Sequence, residues 1–238
     1  MSSTAGSAQR RTPKSPAPAA KPGETRKRGP YVSEAMLERR RRMIDVAKTM
    51  IAESGADGFT IRELTERAGV SITVVYSAYG DKEGLIAAAI QDFYERLPVA
   101  ARPAPKALGR LLADIDESAA VILANAAYSR SLADLYFSRT VDARIYAIIH
   151  NMPIITFQPW LEKVMAAGAT VPGLSLASMC STLANDRWSV IFDWARGRIP
   201  NGDLASAMAT SFLITAAGLT AGPVRARLDA ALRKTLRA

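Results

Sequence analysis

The side chains best suited to chemistry are concentrated in one short stretch, residues 60–82, and they are side chains for recognition. This stretch supplies hydroxyl, guanidinium, ammonium and apolar groups: Thr60, Arg62, Ile72, Thr73, Tyr76, Ser77, Tyr79 and Lys82. Arginine can donate two parallel hydrogen bonds to guanine, hydroxyls bind base edges or phosphates, and apolar groups contact the methyl of thymine. This combination indicates a surface that binds nucleic acid.

Side chains for catalysis are sparse. The 238 residues include one cysteine, Cys180, and one histidine, His150, which excludes a disulfide within the chain and a metal site built from several cysteines or histidines. The sequence has no Gly-rich phosphate loop and no nucleophile elbow. We therefore expect no catalytic site, no metal and no cofactor, and a helical enzyme is the weakest alternative.

Two short helices must position the recognition residues. Thr60 and Glu63 have the spacing of a capping box, in which each side chain accepts a hydrogen bond from the backbone N–H of the other residue. The first helix ends at Gly69, and a second one begins near Ile72 after a three-residue turn. Two short helices joined by such a turn predict a helix-turn-helix over about residues 60–79. Its second helix would enter the major groove of DNA.

Further helices are expected on both sides of this motif. Residues Met43, Ala47, Met50, Ile51 and Ser54 recur at helical spacing. They predict a first helix over about 35–54. Ser71 can cap the second helix of the motif, and Asp81 can cap a further helix that runs to about Leu97. Residues 35–97 are therefore interpreted as one DNA-binding domain.

This region resembles the TetR/AcrR family of bacterial transcriptional regulators. The matching residues are Gly55, Phe59-Thr60-Ile61, Leu64, Ala68-Gly69-Val70-Ser71, Tyr76, Tyr79, Lys82-Glu83 and Leu85. The resemblance covers residues 38–96 and implies that Ser71 and Val74 also belong to the DNA-binding surface. The chain departs from the family at Leu64-Thr65, usually Ile-Ala, at Val74, often Gly or Thr, and at Tyr79, often Phe. Because Val74 lacks a hydroxyl, the base specificity of the family cannot be carried over.

The positive charge is concentrated at the front of the chain. The formal net charge is +9, and residues 1–42 carry 11 basic and 3 acidic residues, whereas residues 43–96 carry 5 and 9. Residues 1–34 are rich in Ser, Ala, Pro and basic residues, which predicts a disordered basic arm. This arm either contacts DNA or is a solubilising tail. Neutralisation of phosphates would depend on the arm and on Arg39 to Arg42.

The rest of the chain, residues 98–238, is predicted to be a helical domain that begins after Pro98, Pro103 and Pro105. Helices are expected near 106–125, 127–139, 141–152, 159–168, 174–197, 202–221 and 223–237. Pro153 either ends a helix or lies within one continuous helix across 141–168. The predicted fold class is all-α, with an N-terminal three-helix helix-turn-helix DNA-binding domain and a C-terminal helical domain for ligand binding and dimerisation.

Two functional surfaces are expected in this second domain. One helix-turn-helix contacts few base pairs, so a homodimer on a palindromic double-stranded operator is expected. The candidate dimer residues are Val190, Trp194, Met208 and Phe212; the alternative is that they are core of the domain. The family resemblance implies a pocket for a small-molecule effector, with the candidates Phe137, Tyr146, His150, Phe157, Trp160, Asn185 and Trp188. Aromatic residues at helical spacing are alternatively core.

The sequence thus predicts a transcriptional regulator, a repressor that a small molecule releases from its operator. The alternative is a DNA-binding architectural protein that responds to no effector. No apolar stretch of about 18 uncharged residues is present, and no apolar segment follows the basic residues of the N-terminus, so we do not expect it to be a secretory signal. We therefore expect no membrane partner and a location in the reducing cytoplasm.

Overall fold

The fold is built from α-helices throughout the part of the chain that the computed structural model describes, residues 34–97 and 106–237. The helices are α1 Glu34–Ser54, α2 Ile61–Ala68, α3 Ile72–Tyr79, α4 Lys82–Glu95, α5 Leu108–Ala124, α6 Ala126–Tyr136, α7 Ala143–Ala166, α8 Leu176–Ala195, α9 Leu204–Leu219 and α10 Gly222–Thr235. The predicted all-α fold class is confirmed. The predicted arm, apart from Glu34, and the predicted domain boundary at 98–105 lie outside the described residues.

The capping box that starts α2 forms as predicted. The Glu63 N–H donates to the Thr60 hydroxyl at 3.2 Å, and the Thr60 N–H donates to a Glu63 carboxylate oxygen at 2.7 Å. The bond from the Thr60 N–H holds the pKa of Glu63 below its usual value. Two of the backbone donors that a helix start leaves open are therefore satisfied locally.

Gly69 makes the turn between α2 and α3 possible. Its φ is +63°, in the left-handed region, and its N–H donates to the Thr65 carbonyl at the end of α2. The chain then enters α3 at Ile72, with Val75 fully buried in the hydrophobic core. Glycine is required at the turn because a Cβ disfavours this backbone conformation.

Replacing Gly69 by alanine should lower the free energy of unfolding by about 1–2 kcal/mol, the cost of a left-handed residue with a Cβ. A Cβ at Gly69 would meet no neighbouring atom, so the loss comes from the backbone alone. Gly109 in α5 is the matched control, since its Cβ also meets nothing and its φ is not positive. Urea denaturation should show no loss for Gly109→Ala, and equal losses in both variants would contradict this explanation.

Helix α7 is continuous through Pro153 and Pro159. The separate helices predicted at 141–152 and 159–168 are therefore wrong, and the continuous alternative is correct. Pro153 has no N–H for the carbonyl of Ile149, one turn earlier. The indole N–H of Trp188 donates to that carbonyl instead, at 3.1 Å. A side chain from α8 thus replaces the missing helical bond.

Helix α9 is the most apolar helix of the C-terminal half. By length and composition alone, the segment Asn201–Leu219 could cross a membrane. In the structure α9 packs against α5, α8 and α10 and buries Leu204, Met208, Phe212 and Leu213. This packing is that of a core helix, whose apolar side chains are covered by neighbouring helices.

Candidate nucleic-acid interface and internal cavity

Helix α3 has one buried face and one exposed face. Val75 is fully buried, whereas Ile72 and Tyr76 are 48% and 49% exposed. Thr73 and Ser77 are exposed as well and form no hydrogen bond with any residue that the structure describes. Positions four residues apart share a helix face, so Ile72 lies above Tyr76 and Thr73 above Ser77. The two pairs form neighbouring rows on the exposed side of α3.

Arg62 and Ser71 extend this surface at the starts of α2 and α3. The Arg62 side chain is 86% exposed, and its Nε lies 3.2 Å from a Glu66 carboxylate oxygen. Such an exposed ion pair contributes little to stability, so Arg62 can leave Glu66 for another anionic partner. Ser71 is at the N-cap position of α3, but its side chain makes no capping hydrogen bond. Both polar groups are therefore available to a ligand.

The remaining predicted contact residues are already engaged within the chain. The Thr60 hydroxyl belongs to the capping box. The Tyr79 hydroxyl donates to the Arg40 carbonyl at 3.4 Å, and the Lys82 ammonium lies 4.7 Å from the centroid of the Phe59 ring. Val74 is partly buried against the core. These groups hold α2, α3 and α4 in place, and their contact with DNA stays a prediction.

Basic side chains near α3 come from the first turns of α1. The bond from Tyr79 places the backbone of Arg40 beside the end of α3. Arg40, Arg41 and Arg42 are exposed and form no ion pair with a described residue. In contrast, several acidic residues of this region are paired internally, among them Glu53 with Arg67 at 2.5 Å and Asp92 with Lys48 at 2.9 Å. The negative charge counted over residues 43–96 is thus partly neutralised.

An ion-pair cluster connects the start of α4 to the start of α7. The Arg144 guanidinium lies 2.9 Å from Asp81 and 2.9 Å from Asp142, and Asp81 also caps α4 by accepting the Gly84 N–H at 2.6 Å. Hydrogen bonds from Arg144 hold the pKa values of Asp81 and Asp142 below their usual range. This contact fixes the helix that follows α3 to the C-terminal helices.

Replacing Arg144 by methionine should destabilise the protein near neutral pH, and the deficit should shrink as the pH falls below about 4. Because the two carboxyl pKa values are lowered in the folded state, their contribution is present above an unfolded pKa of about 3.9. It is lost as the pH falls through the lowered values. Melting temperatures measured at several pH values should therefore converge for the two proteins at low pH. Arg139→Met, at an exposed arginine, is the control, and a pH-independent deficit for Arg144→Met would contradict the linkage.

A cavity of about 90 Å³ lies between α4, α5, α6, α7 and α8. Its walls are mostly apolar, and the polar groups at its surface include Arg187, Tyr94 and Thr156. Of the seven predicted effector residues, only Trp188 lines this cavity. The other six lie outside the wall of this cavity, and their contact with an effector stays a prediction.

Four of the other predicted residues surround Tyr136, which the sequence reasoning missed. The Tyr136 hydroxyl lies 2.5 Å from Asn185 Oδ1 and 2.8 Å from His150 Nδ1. The rings of Phe137 and Tyr146 lie 5.0 Å and 5.3 Å from the Tyr136 ring. Since the hydroxyl can donate only one proton, it donates to Asn185 and accepts from His150. Burial lowers the pKa of His150, which favours the neutral imidazole.

Phe157 and Trp160 pack elsewhere, in the core of the C-terminal half. Their rings lie 5.4 Å and 5.7 Å from the ring of Phe212, and both side chains are buried. The alternative stated from the sequence, that aromatic residues at helical spacing form core, is correct for this pair. No sequence signal separates core aromatics from cavity aromatics, because both have the same helical period.

The predicted dimer residues are mostly core as well. Trp194, Met208 and Phe212 are buried within the chain, as the core alternative predicts, and their contact with a second copy stays a prediction. Val190 is partly buried. Helical spacing identifies an apolar face but does not say whether that face packs inside the chain or against a partner. The exposed positions of α8 and α9 carry other residues: Ala177, Ser178, Thr182, Asn185, Ser189, Ser206, Ile214 and Gly218.

Comparison with known proteins agrees with this geometry. Residues 43–89 match the family described as bacterial regulatory proteins, tetR family. An HTH-type transcriptional regulator, BetI of Cronobacter sakazakii, is 37% identical over 84 residues, which are 33% of this chain and 42% of that protein. The matched segment thus spans about two fifths of the relative's length.

Solved structures share the whole fold at lower identity. A TetR regulator from Rhodococcus sp. RHA1 is 20% identical, with a TM-score of 0.55 over 79% of this chain and 100% of that chain. The TetR regulator TylP from Streptomyces fradiae is 20% identical, with a TM-score of 0.55 over 86% and 97%. A regulator from Streptomyces coelicolor is 21% identical, with a TM-score of 0.56 over 84% and 89%. These similarities extend the shared architecture to the C-terminal helices.

Proposed function

Because residues 43–89 match the TetR family of bacterial regulatory proteins, we propose that this chain is a member of that family and a DNA-binding transcriptional regulator controlled by a small molecule. It binds an operator through α3 and is released when the ligand occupies the cavity beside α4. The observation that carries the proposal is the exposed face of α3, on which Thr73 and Ser77 have no hydrogen-bond partner in the described chain.

The chemistry of this face suits the major groove. Thr73 and Ser77 offer hydroxyls to base edges, and Ile72 offers an apolar contact to a thymine methyl. Arg62 reaches out from α2 and can bind guanine or a phosphate. The arginine run at the start of α1 supplies phosphate contacts that position the protein without reading sequence.

Binding to the operator requires a second copy of the chain. We propose that two chains pair through the exposed face of α8 and α9, where Ser178, Thr182 and Ser189 are small and Ile214 is apolar. Small side chains allow two helix pairs to approach closely in a four-helix bundle. Two α3 helices about 34–36 Å apart would then read successive major grooves of a palindromic operator.

Helix α4 connects the ligand cavity to the DNA-binding face. Only two residues, Gly80 and Asp81, separate it from the end of α3, and its other end contributes Phe93 and Tyr94 to the cavity wall. The cavity is smaller than the usual 300–1,000 Å³ of ligand pockets, so a ligand that enlarges it must move this wall. Displacement of α4 would change the spacing of the two α3 helices, and the ligand would favour the state that binds DNA weakly.

Fluorescence anisotropy with labelled fragments from upstream of its own gene and the neighbouring genes tests the proposal. At about 150 mM salt we expect one fragment to bind much more tightly than a shuffled fragment of the same composition. Two or more chains should bind per operator. Equal affinity for the operator fragments and the shuffled DNA would contradict a role as a sequence-specific regulator.

A further inference from the structure

Arg187 on α8 is a guanidinium in apolar surroundings. It lines the cavity of about 90 Å³ and also a smaller one of about 10 Å³, whose wall includes Phe157 and Asp186. Asp186 accepts a hydrogen bond from Ser211 at 2.6 Å and forms no ion pair with Arg187. Its guanidinium carbon lies 5.9 Å from the centroid of the Phe157 ring. Among the residues that the structure describes, Arg187 forms no ion pair and no hydrogen bond. Its donors are therefore open at the cavity.

This arrangement is costly for the protein by itself. Arg187 is partly buried; a guanidinium carries five N–H donors, and a charge removed from water without an acceptor lowers the stability of a fold. Burial lowers the pKa of Arg187 to about 10, so the group is still positively charged at neutral pH. No aspartate or glutamate lines the cavity. An anion bound there would be the first acceptor that Arg187 meets.

Two neutral hydroxyls accompany the charge. Tyr94 and Thr156 line the same cavity, and neither hydroxyl has a hydrogen-bond partner in the described part of the chain. Burial raises the pKa of Tyr94, so its hydroxyl stays protonated and can donate. The hydroxyls of Ser118 and Ser129 are occupied, because they donate to backbone carbonyls at 2.6 Å and 3.3 Å.

The other walls of the cavity are apolar and define the rest of the ligand. They come from α4 to α8 and include Leu97, Val121, Leu132, Met152 and Ile191. One cation with two hydroxyls matches the single charge of a carboxylate better than the double charge of a phosphate ester. Apolar walls require an apolar body behind that charge.

We propose that the ligand of this cavity is a small monocarboxylic acid with an apolar body, its carboxylate held by Arg187 and its body enclosed between α4 and α8. The proposal rests on the proposed function only in giving the cavity a regulatory role. Binding itself requires no DNA. The carboxylate would form a two-bond pair with the planar guanidinium, and Tyr94 would donate a further bond.

Matched acids and alcohols test the charge requirement on the full chain. The probes are hexanoate with hexanol and phenylacetate with phenylethanol, measured by thermal shift and by isothermal titration calorimetry. We expect the acids to raise the melting temperature and to bind at least about 10-fold more tightly than the alcohols, as charge-assisted hydrogen bonds predict. Equal binding of acid and alcohol, or no binding of either acid, would overturn the proposal.

Variants of Arg187 test whether this side chain binds the carboxylate of the ligand. Arg187→Met should abolish the preference for acids and, without ligand, melt at or above the temperature of the natural protein, because an unpaired buried charge has been removed. Arg187→Lys keeps a charge without the planar fork, so we expect weaker acid binding with the preference retained. Arg130→Met is the control, since Arg130 stacks 4.9 Å over Trp194 on the surface. An acid preference that survives in Arg187→Met would overturn the assignment.

The experiments distinguish a wrong ligand class from a wrong proposed function. If the chain binds its operator but no acid, the ligand class is wrong and the regulator stands. If acids bind through Arg187 and no DNA fragment is preferred over shuffled DNA, the anion site stands and the proposed function is wrong. Acid binding that lowers operator affinity in the natural protein, but not in Arg187→Met, would support both.

Discussion

Replacing Thr73 by aspartate should weaken operator binding by at least about 100-fold, since lost base contacts and charge repulsion act together. Thr73 is exposed on α3 between Ile72 and Tyr76. In the major groove, an aspartate there would place a carboxylate near phosphates and near the acceptor atoms of purines. The fold should be unaffected, because the Thr73 side chain forms no hydrogen bond with a described residue.

Thr140→Asp is the matched control for this variant. Thr140 is an exposed threonine before α7, so the substitution makes the same change of charge far from α3 in sequence. Anisotropy titrations should show operator affinity near that of the natural protein for Thr140→Asp, and circular dichroism should show unchanged helix content for both variants. Loss of affinity by less than threefold in Thr73→Asp would mean that α3 does not face the DNA.

Replacing Phe212 by alanine should lower the free energy of unfolding by about 3–5 kcal/mol, the range measured for buried phenylalanine. Phe212 is 2% exposed, and its ring contacts both Phe157 and Trp160. The substitution leaves a cavity at the centre of the C-terminal half, where α5, α8 and α10 meet α9. Urea denaturation at several protein concentrations measures this loss.

Ile214 is the comparison residue, two positions further along α9. Its side chain is 56% exposed, so Ile214→Ala should change the stability of one chain by less than about 0.5 kcal/mol. Under the proposed pairing of α8 and α9, Ile214→Asp should instead shift the protein from dimer to monomer in analytical ultracentrifugation. If Phe212→Ala dissociates dimers and leaves the stability of each chain unchanged, then Phe212 is an interface residue and its burial in the core is wrong.

Much of the N-terminal half could be predicted because its signals are local. The capping box of Thr60 and Glu63 joins atoms three residues apart, and the turn at Gly69 depends on the backbone of one residue. The exposed and buried faces of α3 follow from helical periodicity once Val75 is assigned to the core. In these features the interacting groups belong to residues that are close together in the sequence.

The C-terminal half could be predicted as helices but not as sites. The continuity of α7 depends on Trp188, 39 residues beyond the carbonyl that its indole N–H satisfies. The grouping of His150 and Asn185 around Tyr136 joins three helices. Such contacts depend on which helices pack together. Helical periodicity in the sequence does not reveal this, because the period is the same for every packing.

The residues 60–82 were the clearest chemical signal in the sequence, and the sequence by itself determined their motif, their helices and their kind of partner. Only the tertiary structure decided which groups are available. It engages Tyr79 with Arg40, leaves Thr73 and Ser77 open, and encloses Arg187 in a cavity without a carboxylate. The physical reason is that a local pattern specifies a backbone, whereas burial and hydrogen-bond satisfaction depend on side chains that arrive from distant helices.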